Sequence, residues 1–178
     1  MAASGYTWDT EFTALYEHCV AQYRGGQRDF TRYYSAADSA FLKSIGCQPR
    51  EFFDFIEDYC DGGDLSPSTA LLVAAARRDY FLHIQQGHPS ATVLMPDALP
   101  ARDDDSIGGI RWLRRILAKA RAKLRGEMPP TMMYCCGGDR SFFKDQNILP
   151  AEFLALVWRH EKDDTAIIDW VVRRAAAK

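Results

Sequence analysis

Apolar residues recur at helical spacing along most of the chain. Phe12, Leu15, Tyr16, Cys19 and Tyr23 fall at i, i+3, i+4, i+7 and i+11, which is one face of a helix. Asp38 stands before "SAFLKSIG", a pattern that predicts a short helix capped by Asp38 and closed by Gly46. Pro49 and Glu51 open "PREFFDFIEDYCDGG", where proline suits a first helical turn and glutamate its positive end. Ser66-Pro67 starts a long helix through "TALLVAAARRDYFLHIQQ", stopped by Gly87 and Pro89. Ser106 reads as the cap of an amphipathic helix over "IGGIRWLRRILAKARAKLRG". Its apolar face is Ile110, Leu113, Ile116, Leu117, Ala120 and Leu124; Arg111, Arg114, Arg115 and Arg125 lie opposite, and Lys119 is on the flank. "DRSFFKDQN", "PAEFLALVWRH" and "DDTAIIDWVVRR" are helical by the same period.

Residues 87–106 break this pattern with prolines and an acidic run, and read as a connector across the surface. On either side of it the chain repeats. At an offset of 101 residues, "AQYRGGQRDFTRYYSAADSAFLKSIGCQPREFFDFI" aligns without a gap to "AKLRGEMPPTMMYCCGGDRSFFKDQNILPAEFLALV". Arg24/Arg125, Gly25/Gly126, Tyr33/Tyr134, Asp38/Asp139, Phe41/Phe142, Pro49/Pro150 and Glu51/Glu152 are among the matched pairs. The expected fold is all-α: two similar helical halves, residues 8–86 and 107–175, packed into one compact bundle-like domain. Residues common to both halves read first as fold. Gly25 and Gly126 are then helix C-terminal glycines, and Asp38 and Asp139 helix caps.

The segment "IGGIRWLRRILAKARAKLRGE…MYCCGGDRSFF…PAEFLALV…DDTAIIDWV" resembles an uncharacterised bacterial family, the domain-of-unknown-function family 5069. The resemblance rests on Gly108-Gly109 before a basic helix, the run Lys119-Ala120-Arg121-Ala122, the turn from Tyr134 to Asp139, Phe142-Phe143, and Asp169-Trp170. It covers roughly residues 100–175, and the first half more loosely. The vicinal cysteines depart from the family's pattern, which has at most one cysteine there. The resemblance implies a fold and brings no activity with it.

Composition narrows the setting. A hydrophobic content of 47% with 26% charged residues is ordinary for a soluble domain. A net charge of −2 argues against general affinity for nucleic acid. Five cysteines without C-x-x-C spacing fit a reducing, cytoplasmic setting. The N-terminal residues show no basic and apolar segments of a signal peptide, and no apolar run is long enough to span a membrane.

The chemistry peculiar to the second half lies in "TMMYCCGGDRSFF". Cys135 and Cys136 are the candidate catalytic thiols, since Arg140 and the helix start after Asp139 favour a thiolate. The plain alternative is one thiol buried as a small hydrophobe and one facing outward. Gly137 and Gly138 would offer backbone N–H groups to an anion with Arg140 beside them, or form a tight turn needing positive φ. Tyr134 and Asp139 complete the expected ligand-binding set. His160 is the candidate proton carrier, since the first half has Tyr59 at its position. No spaced Cys/His set predicts a metal site, and no cofactor is implied. The leading functional expectation is a small-molecule-binding protein, or a thiol-dependent enzyme, with its site at the Tyr134–Arg140 loop. The rival is an interaction module using charged helix faces, either the basic helix or the carboxylates Asp54, Glu57, Asp58 and Asp61. Those faces would pair with one another within the chain or across a homodimer.

Overall fold

A computed structural model describes residues 5–177. Among these the chain is all-helical, with eight α-helices and no strand. It divides after Gly87 into two compact units.

The first unit contains α1 (Trp8–Arg24), α2 (Ala36–Ser44), α3 (Pro49–Gly62) and α4 (Pro67–His83). The predicted face of α1 is its buried face, with Phe12, Tyr16 and Cys19 almost wholly covered. It packs on α3 and α4, and the Phe12 and Phe52 rings meet edge to face, centroids 5.0 Å apart. Capping follows the sequence at α3 and α4: Pro49 and Glu51 occupy the first turn of α3, and the Ser66 side chain accepts from Thr69 N–H. At α2 the cap is Ser35 rather than Asp38. Asp38 sits three residues into the box, receiving the Ser35 N–H while Ser35 Oγ receives the Asp38 N–H.

The second unit contains α5 (Leu113–Arg125), α6 (Gly137–Gln146), α7 (Pro150–Arg159) and α8 (Asp164–Ala176). Here α5 packs on α7 and α6 on α8. The starts of α2 and α6 are 101 residues apart, as are those of α3 and α7. The segment expected to be a connector folds onto this unit: Leu94 N–H donates to the Glu127 carbonyl at 2.8 Å, Ser90 Oγ to the Glu127 carboxylate, and Leu99 is buried.

The start of α5 differs from expectation. The helix begins at Leu113, not after Ser106. Gly108, Gly109 and Trp112 take left-handed backbone conformations, which end any helix run through them. At Gly108 the missing side chain also admits α8, since a Cβ would stand 2.9 Å from Val172 Cγ2. The sequence shows "GG" inside an amphipathic pattern; the chain instead loops there, with Gly108 packed against α8.

Candidate functional site

The start of α5 and the start of α6 meet around one buried carboxylate. Asp139 is fully covered. It lies in the first turn of α6 and is not the expected cap: Cys136 holds the N-cap position, and the Asp139 carboxylate is taken up by other partners. Its Oδ2 receives the Cys135 N–H at 3.0 Å and the Lys119 ammonium, and its Oδ1 receives the Trp112 indole N–H at 3.0 Å. Lys119, placed on the flank by sequence, is itself buried, with 4% of its side chain exposed. A carboxylate and an ammonium stripped of water need this pairing, because an isolated charge there would be strongly disfavoured. The first-half equivalent by register, Asp38, is half-buried and bonded to Ser35. In the second half Cys136 stands where Ser35 would be, so the hydroxyl partner is gone and the carboxylate turns inward.

Two non-glycine residues in this cluster have positive φ, Trp112 at 73° and Cys135 at 74°. Such conformations are strained for side chains of this size and persist where surrounding structure fixes them. The indole bond to Asp139 fixes the first. The Cys135 N–H to Asp139 and the Arg140 guanidinium donating to the Cys135 carbonyl at 2.9 Å fix the second. The positive φ expected at Gly137 or Gly138 is therefore at Cys135. Both glycines are helical, and Gly138 is needed for closeness: a Cβ on it would stand 2.6 Å from Trp112 Cζ2.

The two cysteines have different fates. Both are free thiols. Cys135 is fully buried, and burial pushes its thiol well above the usual range, with Asp139 adding to the effect and Lys123 and Lys119 opposing it. Cys136 is partly exposed at the N-cap of α6, where no side chain caps the helix. Its Sγ lies 3.3 Å from Lys119 Nζ.

Cys136 and Lys119 line a cavity of about 290 Å³, together with Arg102, Trp112, Arg115, Thr131, Met132, Met133 and Gly138. The wall carries three cationic side chains, one thiol and the opening of α6, and no carboxylate. Arg115 donates to the Pro100 carbonyl at 2.7 Å, and its guanidinium lies 5.8 Å from the Trp112 ring centre; that of Arg102 lies at 6.0 Å. On the other side of Trp112 a larger cavity of about 660 Å³ is bounded by Arg102, Asp103, Ile110, Arg111, Ser141, Phe142, Asp145 and Gln146, with Gly138 again on its wall.

The remaining predicted residues are placed differently. Tyr134 is buried and its hydroxyl donates to the Pro150 carbonyl at 2.9 Å, so it ties the loop to the start of α7. Burial also raises its phenol well above the usual value. Arg140 braces the same loop through the Cys135 carbonyl. His160 ends α7, its N–H donating to the Leu156 carbonyl and its own carbonyl receiving the Asp163 N–H. Charged residues of the basic and acidic faces have partners within their own units. Arg114 pairs with Asp104, Arg121 with Asp164 and Arg125 with Glu161, while Asp54 and Glu57 pair with Arg50 and Asp61 accepts from Tyr23.

Sequence reasoning missed Lys119, Trp112, Arg115 and Arg102 as site residues. One signal was available: Asp38 has a serine three residues before it and Asp139 a cysteine, so Asp139 has no hydroxyl at that position for a capping box.

Among the described residues no helix is long and apolar enough to cross a membrane, and no three His, Cys, Asp or Glu side chains gather in a metal-holding group. Residues 98–178 match the family model described as Domain of unknown function (DUF5069), a stretch that includes both cavities. No curated protein and no solved structure matches the chain.

Proposed function

We propose that the matched unit binds a small anionic molecule in the cavity beside Cys136, and that the Cys136 thiol is the group that acts on it. The observation that carries this reading is the composition of that wall: Arg102, Arg115 and Lys119 converge there with no carboxylate among them. The opening of α6 adds to the attraction, because the first N–H groups of a helix have no partner within it and carry partial positive charge. Lys119 stands in hydrogen-bonding range of the sulfur, so an anion drawn into the cavity meets the thiol. Asp139 beneath holds Lys119 in place. In this reading Cys135, Tyr134 and Arg140 shape the loop, and Arg115 takes the anion-contact role expected of Arg140.

The docking-module reading has less support. It needs charged faces available to a partner, and the arginines of α5 are largely engaged in ion pairs within their own unit.

Charge-selective alkylation tests the proposal. Iodoacetate ordinarily reacts with thiols no faster than neutral iodoacetamide. At Cys136 the anionic reagent is expected to gain on the neutral one. Inorganic phosphate should slow it, and the gain should shrink in the Arg102→Ala/Arg115→Ala variant. If the ratio at Cys136 equals that of free cysteine and phosphate has no effect, the reading falls.

A further inference from the structure

We infer that the two cavities are lobes of one site, and that its ligand is an aromatic compound carrying a phosphate or carboxylate. The acid occupies the smaller lobe and the ring the larger. This rests on the anion-binding reading of the smaller lobe and goes beyond it by naming the body attached to the acid.

Three residues, Arg102, Trp112 and Gly138, belong to both walls. The indole is therefore the rib between the lobes. It is held at its N–H by Asp139 and seated against Gly138, so it is a fixed surface. At about 290 Å³ the smaller lobe has room for more than a bare phosphate or carboxylate. With the larger lobe, at about 660 Å³, the space suits an organic ligand of ordinary size.

Charge sets the orientation. The charged side chains that line the smaller lobe are all cations. In the larger lobe Arg102 and Arg111 are offset by Asp103 and Asp145, so its charge is close to balanced. An acid gains more in the smaller lobe. The larger one offers Ile110, Phe142 and the Trp112 ring to an apolar body, with Ser141, Gln146 and the two carboxylates around it to accept from amine or hydroxyl substituents. A second acidic group on the ring would meet those carboxylates.

The test is a calorimetric titration of the full chain with two aromatic acids and their parents: inorganic phosphate against phenyl phosphate, acetate against benzoate, with phenol as the uncharged control. Phenyl phosphate is expected to bind at least roughly tenfold tighter than phosphate, the scale of one stacking contact. Benzoate should exceed acetate in the same way if the head is a carboxylate. Ser141→Trp places bulk in the larger lobe from an exposed position; it should remove the gain and leave inorganic phosphate unchanged. Gln146→Trp, at a second position that lines the larger lobe and not the smaller, should do the same, and it decides the matter if Ser141→Trp does not fold. If both aromatic acids bind no tighter than their parents, the bilobed site is refuted while anion binding stands. If phenol binds as well as phenyl phosphate, or no probe binds, both readings fail.

Discussion

The indole of Trp112 lies on the backbone of Gly138, so close that a Cβ there would be 2.6 Å from Cζ2 and 2.7 Å from Cη2. The contact joins the loop before α5 to the first turn of α6, and it fixes the wall shared by the two cavities. Elsewhere in a helix, replacing glycine by alanine stabilises by about 1 kcal/mol. At Gly138 the sign should reverse. Gly138→Ala is expected to destabilise by about 1–3 kcal/mol, as overpacking does. In a Trp112→Leu background the same change should be neutral or stabilising. Urea denaturation of the two single variants and the double variant gives the coupling; an additive cycle would mean that the indole does not rest on Gly138.

Lys119 and Asp139 make the second prediction. Breaking a buried ion pair from one side leaves a charge without its counterpart and typically costs about 3–5 kcal/mol. Lys119→Met and Asp139→Leu should each fall in that range. The double variant should recover much of the loss, because two apolar residues need no desolvated partner. Trp112→Phe removes one donor to the carboxylate and should cost about 1.5–3 kcal/mol, the scale of a hydrogen bond to a charged group. Thermal unfolding of the four proteins checks all three statements. Equal losses in the single and double variants would contradict the pairing.

Much of the helical layout was legible because it depends on local pattern. The α1 face, the Pro49 and Ser66-Pro67 starts and the glycine ends at Gly25, Gly46 and Gly126 were read from spacing and capping chemistry, whereas α4 ends at His83, before Gly87. The start of α5 was not. Gly108-Gly109 sits in a run of correct amphipathic period, and only the approach of Val172 and Ile168 from α8 shows why the chain leaves the helix there. The site was legible to the level of the loop and not of its roles. Treating Asp38 and Asp139 as equivalents concealed that one is half-buried and the other wholly buried. Lys119 looked like a flanking cation because periodicity assigns a face without saying which buried carboxylate waits on it. Arg102 entered from a segment without regular structure, where no period exists to point at it.

In the first unit Asp54 predicts a pH dependence. Burial raises its carboxyl from 3.8 to about 7, with Glu57 and Asp58 adding to the shift and Arg50 opposing it. Between those values the folded chain holds a proton that the unfolded chain has released. Stability from this residue is therefore full below the ordinary carboxylate range and is lost as the pH rises to about 7, levelling off above. Asp54→Asn cannot ionise and should lack this fall. The measurement is the difference in urea midpoint between wild type and variant from pH 5 to pH 8. The gap should move in favour of the variant as pH rises, and a constant gap would show that Asp54 titrates normally.

The cysteines give the last prediction, which separates accessible from buried thiols without reference to any ligand. Cys19, Cys47 and Cys135 are buried, while Cys60 and Cys136 are partly exposed. Burial raises the Cys19 thiol to about 12 and the Cys135 thiol well above the usual range. The Cys60 thiol is also raised, mainly by burial, although the Arg24 guanidinium bonded to it works the other way. Alkylation of the folded chain at neutral pH should therefore begin at Cys136, proceed slowly at Cys60, and leave Cys19, Cys47 and Cys135 unmodified until denaturant is added. Lys119→Met should slow the Cys136 reaction with anionic iodoacetate, since the cation beside the sulfur is gone. Peptide mass spectrometry over a time course resolves the order even for the adjacent pair. Early modification of Cys135 would mean that its loop opens in the native state. In that case the division of the pair into a buried, structural thiol and a reactive one would fail with it.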